Sequence, residues 1–152
     1  MNKIDKLFAE RGDRKLFSLY FCAGDPTLDG TADVIRAMER RGVAMVEVGF
    51  PFSDPLADGP VIQTAATNAI RNGMSLTKLF AQLKAIKDEV SIPLVLMGYL
   101  NVVMQFGFEA FFRSCADSGV FMGKNAPLCW KLYRKFFLPV NTRSDPPAPC
   151  LR

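Results

Sequence analysis

The sequence predicts a parallel α/β fold, the opening part of a (β/α)8 TIM barrel, and three observations carry that prediction. Short runs that are apolar on both faces alternate with stretches of helical period, as βαβ units require. Each apolar run stops at a cluster of Gly, Pro or Asp, the usual turn signal. Side chains able to do chemistry follow the ends of the runs, where parallel α/β folds place their sites. A doubly wound sheet shares these traits. No GxGxxG follows the first run, which counts against a dinucleotide fold and favours the barrel.

Ile4, Leu7, Phe8 and Arg11 mark a short amphipathic helix that stops at Gly12. The run Leu16 to Ala23 is the first strand, closed by Gly24-Asp25-Pro26. Leu28, Ala32, Ile35 and Met38 recur at helical spacing, and Arg40-Arg41-Gly42 has the composition of a helix exit, with cations in the last turn and a glycine beyond it. Val43 to Val48 is the second strand, ended by Gly49-Phe50-Pro51. A loop rich in Pro, Asp and Gly leads to a helix on Ile62, Ala65, Ala66 and Ala69 that stops at Asn72-Gly73. Ser75 is a good N-cap for the next helix, whose buried face is Leu76, Leu79, Phe80, Leu83, Ile86 and Val90. Ile92 to Met97 is the third strand, with Pro93 confined to its start. Phe108, Phe111, Phe112 and Cys115 define a helix ending at Gly119.

A fourth strand is due at Val120, but Gly123-Lys124-Asn125-Ala126-Pro127 interrupts the apolar run almost at once. The expectation is therefore about three βα units in residues 1–120, followed by an irregular basic tail over 121–152. Residues 1–120 carry 13 Lys+Arg against 14 Asp+Glu, whereas 121–152 carry six against one. The tail also contains Asp145-Pro146-Pro147-Ala148-Pro149, and such a stretch is expected to be disordered. A charge step at one point argues for a boundary before it argues for nucleic acid. A nucleic-acid role for Lys131, Arg134 and Lys135 ranks last, because those residues lack the context of an RRM or OB fold.

Composition excludes several classes. Apolar residues make 49% of the chain and charged residues 22%, the balance of a globular domain. No apolar run approaches the ~18–20 residues of a membrane span, and Met1 to Asp5 show no signal-peptide h-region. There is no histidine, and Cys22, Cys115, Cys129 and Cys150 form no CxxC pair. No metal site is expected, and the thiols read as reduced in a cytoplasmic protein.

The segment Val46 to Gly59, VEVGFPFSDPLADG, is the richest in chemistry. Glu47 is the one charged residue of its apolar strand, facing either the barrel interior or the helix layer. Burial there would raise its pKa toward the range of a working acid or base. Asp54 and Asp58 lie on the following loop. Ser53-Asp54-Pro55 and Asp25-Pro26 are read as turns, and Tyr20, Met97, Tyr99 and Asn101 by themselves as core or loop residues.

That fourteen-residue segment resembles, position for position, the signature of the tryptophan synthase alpha subunit family. There a strand Glu precedes Gly-x-Pro-Phe-Ser-Asp-Pro-x-Ala-Asp-Gly. Phe21-Cys22-Ala23-Gly24-Asp25-Pro26 is similar to that family's first strand and turn. Met97-Gly98-Tyr99-Leu100-Asn101 is similar to the end of its third strand, and Gly107-Phe108 to the start of the next helix. The resemblance covers residues 1 to about 120. It implies a lyase of tryptophan biosynthesis that cleaves indole-3-glycerol phosphate to indole and glyceraldehyde 3-phosphate by a retro-aldol step. It places Glu47 as the proton shuttle and Asp58 as the carboxylate that accepts from the indole N–H. Tyr20, Met97 and Tyr99 match residues around the indole. The chain itself is expected to need no cofactor. The implied partner is a beta subunit carrying pyridoxal phosphate, in an alpha2beta2 assembly, met in part by the loop Pro51 to Pro60.

The phosphate site of such a barrel lies after strands 7 and 8, in a fold of ~250 residues. The 152 residues given are too few to close it. A change of reading frame near Val120, with an early stop, is the leading reading of the tail, and a genuine short variant is second. Alone, the chain is expected to be aggregation-prone or molten and without lyase activity. Leu19, Phe21, Met45, Val48, Leu94 and Leu96 are expected to face an interior with no opposite wall. At ~25 cal/mol per Å2, a few hundred Å2 of exposed apolar surface offsets the ~5–15 kcal/mol stability of an ordinary domain. The rival from another class is a non-catalytic fragment that binds or regulates a beta subunit.

Overall fold

A computed structural model describes residues 3–122. In chain order the elements are α1 (Lys3–Glu10), β1 (Ser18–Cys22), a 3-10 turn (Leu28–Gly30), α2 (Thr31–Arg40), β2 (Met45–Gly49), α3 (Pro60–Arg71), α4 (Leu76–Ile86), β3 (Leu94–Met97), α5 (Leu100–Phe106), α6 (Phe108–Ser118) and β4 (Phe121–Met122). The strands form one parallel sheet in the order β1-β2-β3-β4. Sequential order means that, among the described strands, each crossover returns to the next position, with no switch point of the doubly wound kind.

Side-chain alternation then sorts the sheet into two unlike faces. Register pairs Leu19 with Val46 and Val46 with Leu94, then Phe21 with Val48 and Val48 with Leu96. Val46, Val48, Leu94 and Leu96 are buried, and they share one core with Ile35 of α2, Leu79 and Leu83 of α4 and Phe111 of α6. Helix α4 touches both α2 and α6. The opposite face carries Ser18, Tyr20, Met45, Glu47, Val95 and Met97, each intermediate or exposed. Helices α2, α4 and α6 layered on one face, with polar groups on the other, are the arrangement of a barrel wall.

Two expectations are corrected. A fourth strand does begin: Phe121 and Met122 pair in parallel with Val95 and Leu96. Gly119 ends α6 with a left-handed cap (φ 67°) and Val120 is buried, so the chain turns back onto the sheet before the glycine and proline of the interrupting segment are reached. Met122 is the last described residue; apart from Phe121 and Met122, the irregular, disordered tail expected over 121–152 lies outside the described residues, as do Lys131, Arg134 and Lys135. Second, Leu19, Phe21, Val48, Leu94 and Leu96 pack toward the helices; of the six residues expected on the interior face, Met45 alone belongs there. A strand shift of one residue reverses every side chain, and an apolar run without alternation does not fix that phase. Helix α5 was also absent from the sequence reading.

Local signals account for the ends of the elements. Ser75 Oγ accepts from the Lys78 amide at 3.4 Å and caps α4. Pro60 opens α3 at its first turn, where a missing N–H costs nothing. The entry to β3 is held by Glu39 of α2, whose Oε1 accepts from Ser91 N (2.8 Å), Ser91 Oγ (2.6 Å) and Ile92 N (3.3 Å). Among the described residues no helix is long and apolar enough to cross a membrane.

Two predictions follow from this packing. Leu83 is completely buried, so Leu83→Ala costs roughly 2–5 kcal/mol of unfolding free energy, read as a lower urea midpoint; a loss under 1 kcal/mol would mean the α4 core is loosely packed. Burial opposes the charged form of Glu39, but the hydrogen bonds from Ser91 and Ile92 and the charge of Lys3 outweigh it and hold the carboxyl below its ordinary value of 4.5. A depressed folded-state pKa stabilises above the unfolded value and is lost as pH falls through the folded one. The stability gap between the wild-type chain and Glu39→Gln is therefore full at pH 6 and closes below pH ~4; a gap independent of pH would contradict this.

Candidate active site

The C-terminal ends of β1, β2 and β3 and the loop after β2 enclose a cleft of about 200 Å3. Its walls include Tyr20 and Cys22 from β1, Phe50, Phe52 and Asp58 from the loop, Ile62 and Ala66 from α3, and Met97 and Tyr99 from the end of β3. Four of the five residues singled out in the sequence, Tyr20, Asp58, Met97 and Tyr99, thus meet in one place.

Two glycines shape the cleft by absence of a side chain. A Cβ on Gly49 would collide with the Tyr20 phenol, and one on Gly98 with the Phe50 ring. The ring of Tyr20 therefore lies across β2, and Phe50 lies across the turn after β3. Phe50 also meets Phe111 of α6 edge-on at 6.0 Å between centroids. Its amide donates to Met97 O at 3.0 Å, so the loop leaves the sheet anchored to β3.

The rest of the loop is held from within and from Tyr99. Asp58 N donates to Pro55 O (3.0 Å), and Leu56 N to Asp54 O (2.9 Å). Gln63 Nε2 donates to the Asp58 carbonyl at 2.8 Å. The Tyr99 hydroxyl donates to Asp58 Oδ2 (3.2 Å) and accepts from Ala57 N (3.1 Å). The rings of Phe52 and Tyr99 stack at a tilt, 4.9 Å apart. On the far side, Asn72 Nδ2 donates to the carbonyls of Gly24 and Pro26, both at 2.8 Å, tying the turn after β1 to the end of α3.

Burial dominates the electrostatics. It pushes the Tyr20 phenol up to about 12, with Cys22, Asp58 and Tyr99 adding to the shift. It pushes the Cys22 thiol up to about 11, helped by Asp25 and Asp58. Tyr99 is raised as well, by desolvation and by Asp58, against the opposing effect of the Ala57 amide. All three side chains are therefore neutral near pH 7 and serve as donors or apolar walls around the Asp58 carboxylate.

Glu47 is placed differently. It stands opposite Tyr20 in the register, on the sheet face away from α2, α4 and α6, which settles the choice between interior and helix layer in favour of the interior. It is half-buried, and its Oε1 accepts from Ser18 Oγ at 3.0 Å. It is not among the cleft walls. Ser18, Cys22, Phe52, Ile62 and the Ala57 amide were not assigned a place in the site from the sequence. Strand alternation from Tyr20 would have found Ser18 and Cys22; a backbone amide leaves no trace in residue types. Among the described residues, no group of three His, Cys, Asp or Glu side chains could hold a metal ion.

The profile of the family described as "Tryptophan synthase alpha chain" matches residues 8–122. The tryptophan synthase alpha chain of Bacteroides thetaiotaomicron is 62% identical over 120 residues, covering 79% of this chain and 46% of that one. That of Bacteroides fragilis is 54% identical over 145 residues, covering 95% and 55%. Among solved structures, tryptophan synthase subunit alpha from Legionella pneumophila aligns with a TM-score of 0.76 at 32% identity, over 79% of this chain and 47% of that one. The tryptophan synthase complex from Pyrococcus furiosus aligns with a TM-score of 0.64 at 35% identity, over 69% and 43%. The chain spans about half the length of the curated relatives it matches. With a barrel-wall sheet, the signature loop folded over its open end and a family profile running from Phe8 to Met122, the chain belongs to the tryptophan synthase alpha chain family.

Proposed function

We propose that this chain carries the indole-binding and proton-transfer part of a lyase site that cleaves indole-3-glycerol phosphate to indole and glyceraldehyde 3-phosphate. The observation that carries the reading is the cleft itself. An ionisable carboxylate, Asp58, is set among the flat apolar walls of Tyr20, Phe50, Met97 and Tyr99, with the strand carboxylate Glu47 on the same sheet face. A planar heteroaromatic ring with one N–H donor suits such a site.

The chemistry assigns each group one task. Glu47 gives a proton to indole C3, which places positive charge on the ring nitrogen. Asp58 accepts from the N–H and stabilises that charge. Glu47 then takes the proton of the hydroxyl on the adjacent carbon; the O–H electrons become the new carbonyl, the C3–carbon bond breaks, and its electrons restore the aromatic ring. To reach a ligand in the cleft, the Glu47 carboxylate gives up its bond with Ser18. Tyr20, Met97 and Tyr99 hold the ring. Pyridoxal phosphate belongs to a beta chain, which would receive the indole.

The second reading, a non-catalytic segment that docks on a beta chain, draws on a separate observation. Leu56 and Val61 are about four-fifths exposed, at 82% and 80%, and Leu100 and Met104 about half. Leu56 lies on the cleft loop, Val61 at the start of α3, and Leu100 and Met104 on α5; contiguous exposed apolar surface is what marks partner sites.

One pair of assays separates the readings: indole release from indole-3-glycerol phosphate, with and without a tryptophan synthase beta chain, and stimulation of the beta reaction by this chain. Cleavage that rises with the beta chain supports the lyase. Stimulation with no cleavage at all supports the docking segment. Where cleavage is measured, Glu47→Gln lowers it by ~10²–10⁴-fold without loosening indole binding; full activity in that variant would remove the proton-shuttle role. Asp58→Asn costs roughly 3 kcal/mol of transition-state stabilisation; an effect confined to KM would reduce Asp58 to a binding contact.

A further inference from the structure

The hydroxyl of Tyr99 makes two bonds, and their directions are fixed. Its oxygen accepts from the Ala57 amide at 3.1 Å, so its own proton is left for Asp58 Oδ2 at 3.2 Å. The relay runs from the Ala57 N–H through Tyr99 to the Asp58 carboxylate. The phenol is raised by desolvation first and by Asp58 as well, so it remains a donor through the neutral range. The bond engages one carboxylate oxygen and leaves the other for a donor in the cleft. The loop that carries Asp58 has the shape of an arch. Its far end is held through Gln63 to the Asp58 carbonyl, and its crown through the Tyr99 ring stacked on Phe52. Of these ties, only the Tyr99 hydroxyl touches the carboxylate.

We propose that Tyr99 is a positioning residue that aims Asp58: its ring lines the cleft, while its hydroxyl is committed to the carboxylate and is not offered to the ligand. The inference rests on the reading of Asp58 as acceptor for an indole N–H. It makes Tyr99 a determinant of specificity at a distance, because an aimed carboxylate rewards a ring with an N–H and penalises one without.

The test is equilibrium dialysis of the 152-residue chain, with a cooperative urea transition first established for the wild-type chain and each variant, against indole and against benzofuran, which has the same outline with oxygen in place of N–H. The wild-type chain binds indole more tightly than benzofuran. Tyr99→Phe keeps the stacked ring and lowers that preference about 3- to 10-fold, the range of one hydrogen bond, through weaker indole binding alone. Added to a chain that already carries Asp58→Asn, Tyr99→Phe changes the preference no further. An undiminished preference in Tyr99→Phe overturns the positioning role and leaves the Asp58 reading standing. Equal loss of both ligands overturns it too, since the hydroxyl would then serve the shape of the cleft. A wild-type chain with no preference for indole removes the Asp58 reading, and the role of Tyr99 with it.

Discussion

The structure depends on the unequal solvation of the two faces of one parallel sheet. Val46, Val48, Leu94 and Leu96 are driven against α2, α4 and α6, where they leave water almost completely. Burial of such side chains, ~1.5–3 kcal/mol each, fixes the strand phase. Once that phase is fixed, Ser18, Tyr20, Met45, Glu47, Val95 and Met97 must stand on the other face. The site residues are where they are because the helices claimed the alternate positions.

The loop after β2 turns that face into a cleft. It starts from a backbone bond to β3 at Phe50, crosses above Gly98, and returns to α3 at Pro60. Gly49 and Gly98 leave room for the two rings that lie over the sheet. The loop's polar content then has few outlets. The Asp58 carbonyl goes to Gln63, and its carboxylate meets the Tyr99 hydroxyl. The electrostatic result is one carboxylate among three neutral, proton-bearing groups, since Tyr20, Cys22 and Tyr99 are all held above their ordinary values by burial and by the negative charge nearby.

Much of this was legible in the sequence. Helical period and caps located α1, α2, α3, α4 and α6, and three apolar runs located β1, β2 and β3. The signature around Glu47 and Asp58 identified the loop that closes the cleft. Facing was less legible, because Leu16 to Ala23 is apolar but for Ser18 and Ile92 to Met97 is apolar throughout, so the runs alone do not show which alternate residues meet helices. The fourth strand was hidden because its apolar run stops at Gly123. Helix α5, of seven residues, is shorter than the span over which period is readable. The Ser18–Glu47 and Ala57–Tyr99–Asp58 bonds join positions 29 and about 41 residues apart, and no local pattern encodes them.

The central claim is that the sheet face away from α2, α4 and α6, with the β2 loop and α3 over it, takes the ligand. Amide chemical-shift mapping of the 15N-labelled chain with added indole tests this directly. The shifts are predicted at Tyr20 and Cys22, along Gly49 to Gly59, and at Met97 to Tyr99, with Ile35, Leu79, Leu83 and their neighbours in the helix layer unmoved. Shifts centred on α2, α4 and α6, or none at saturating indole, would contradict it.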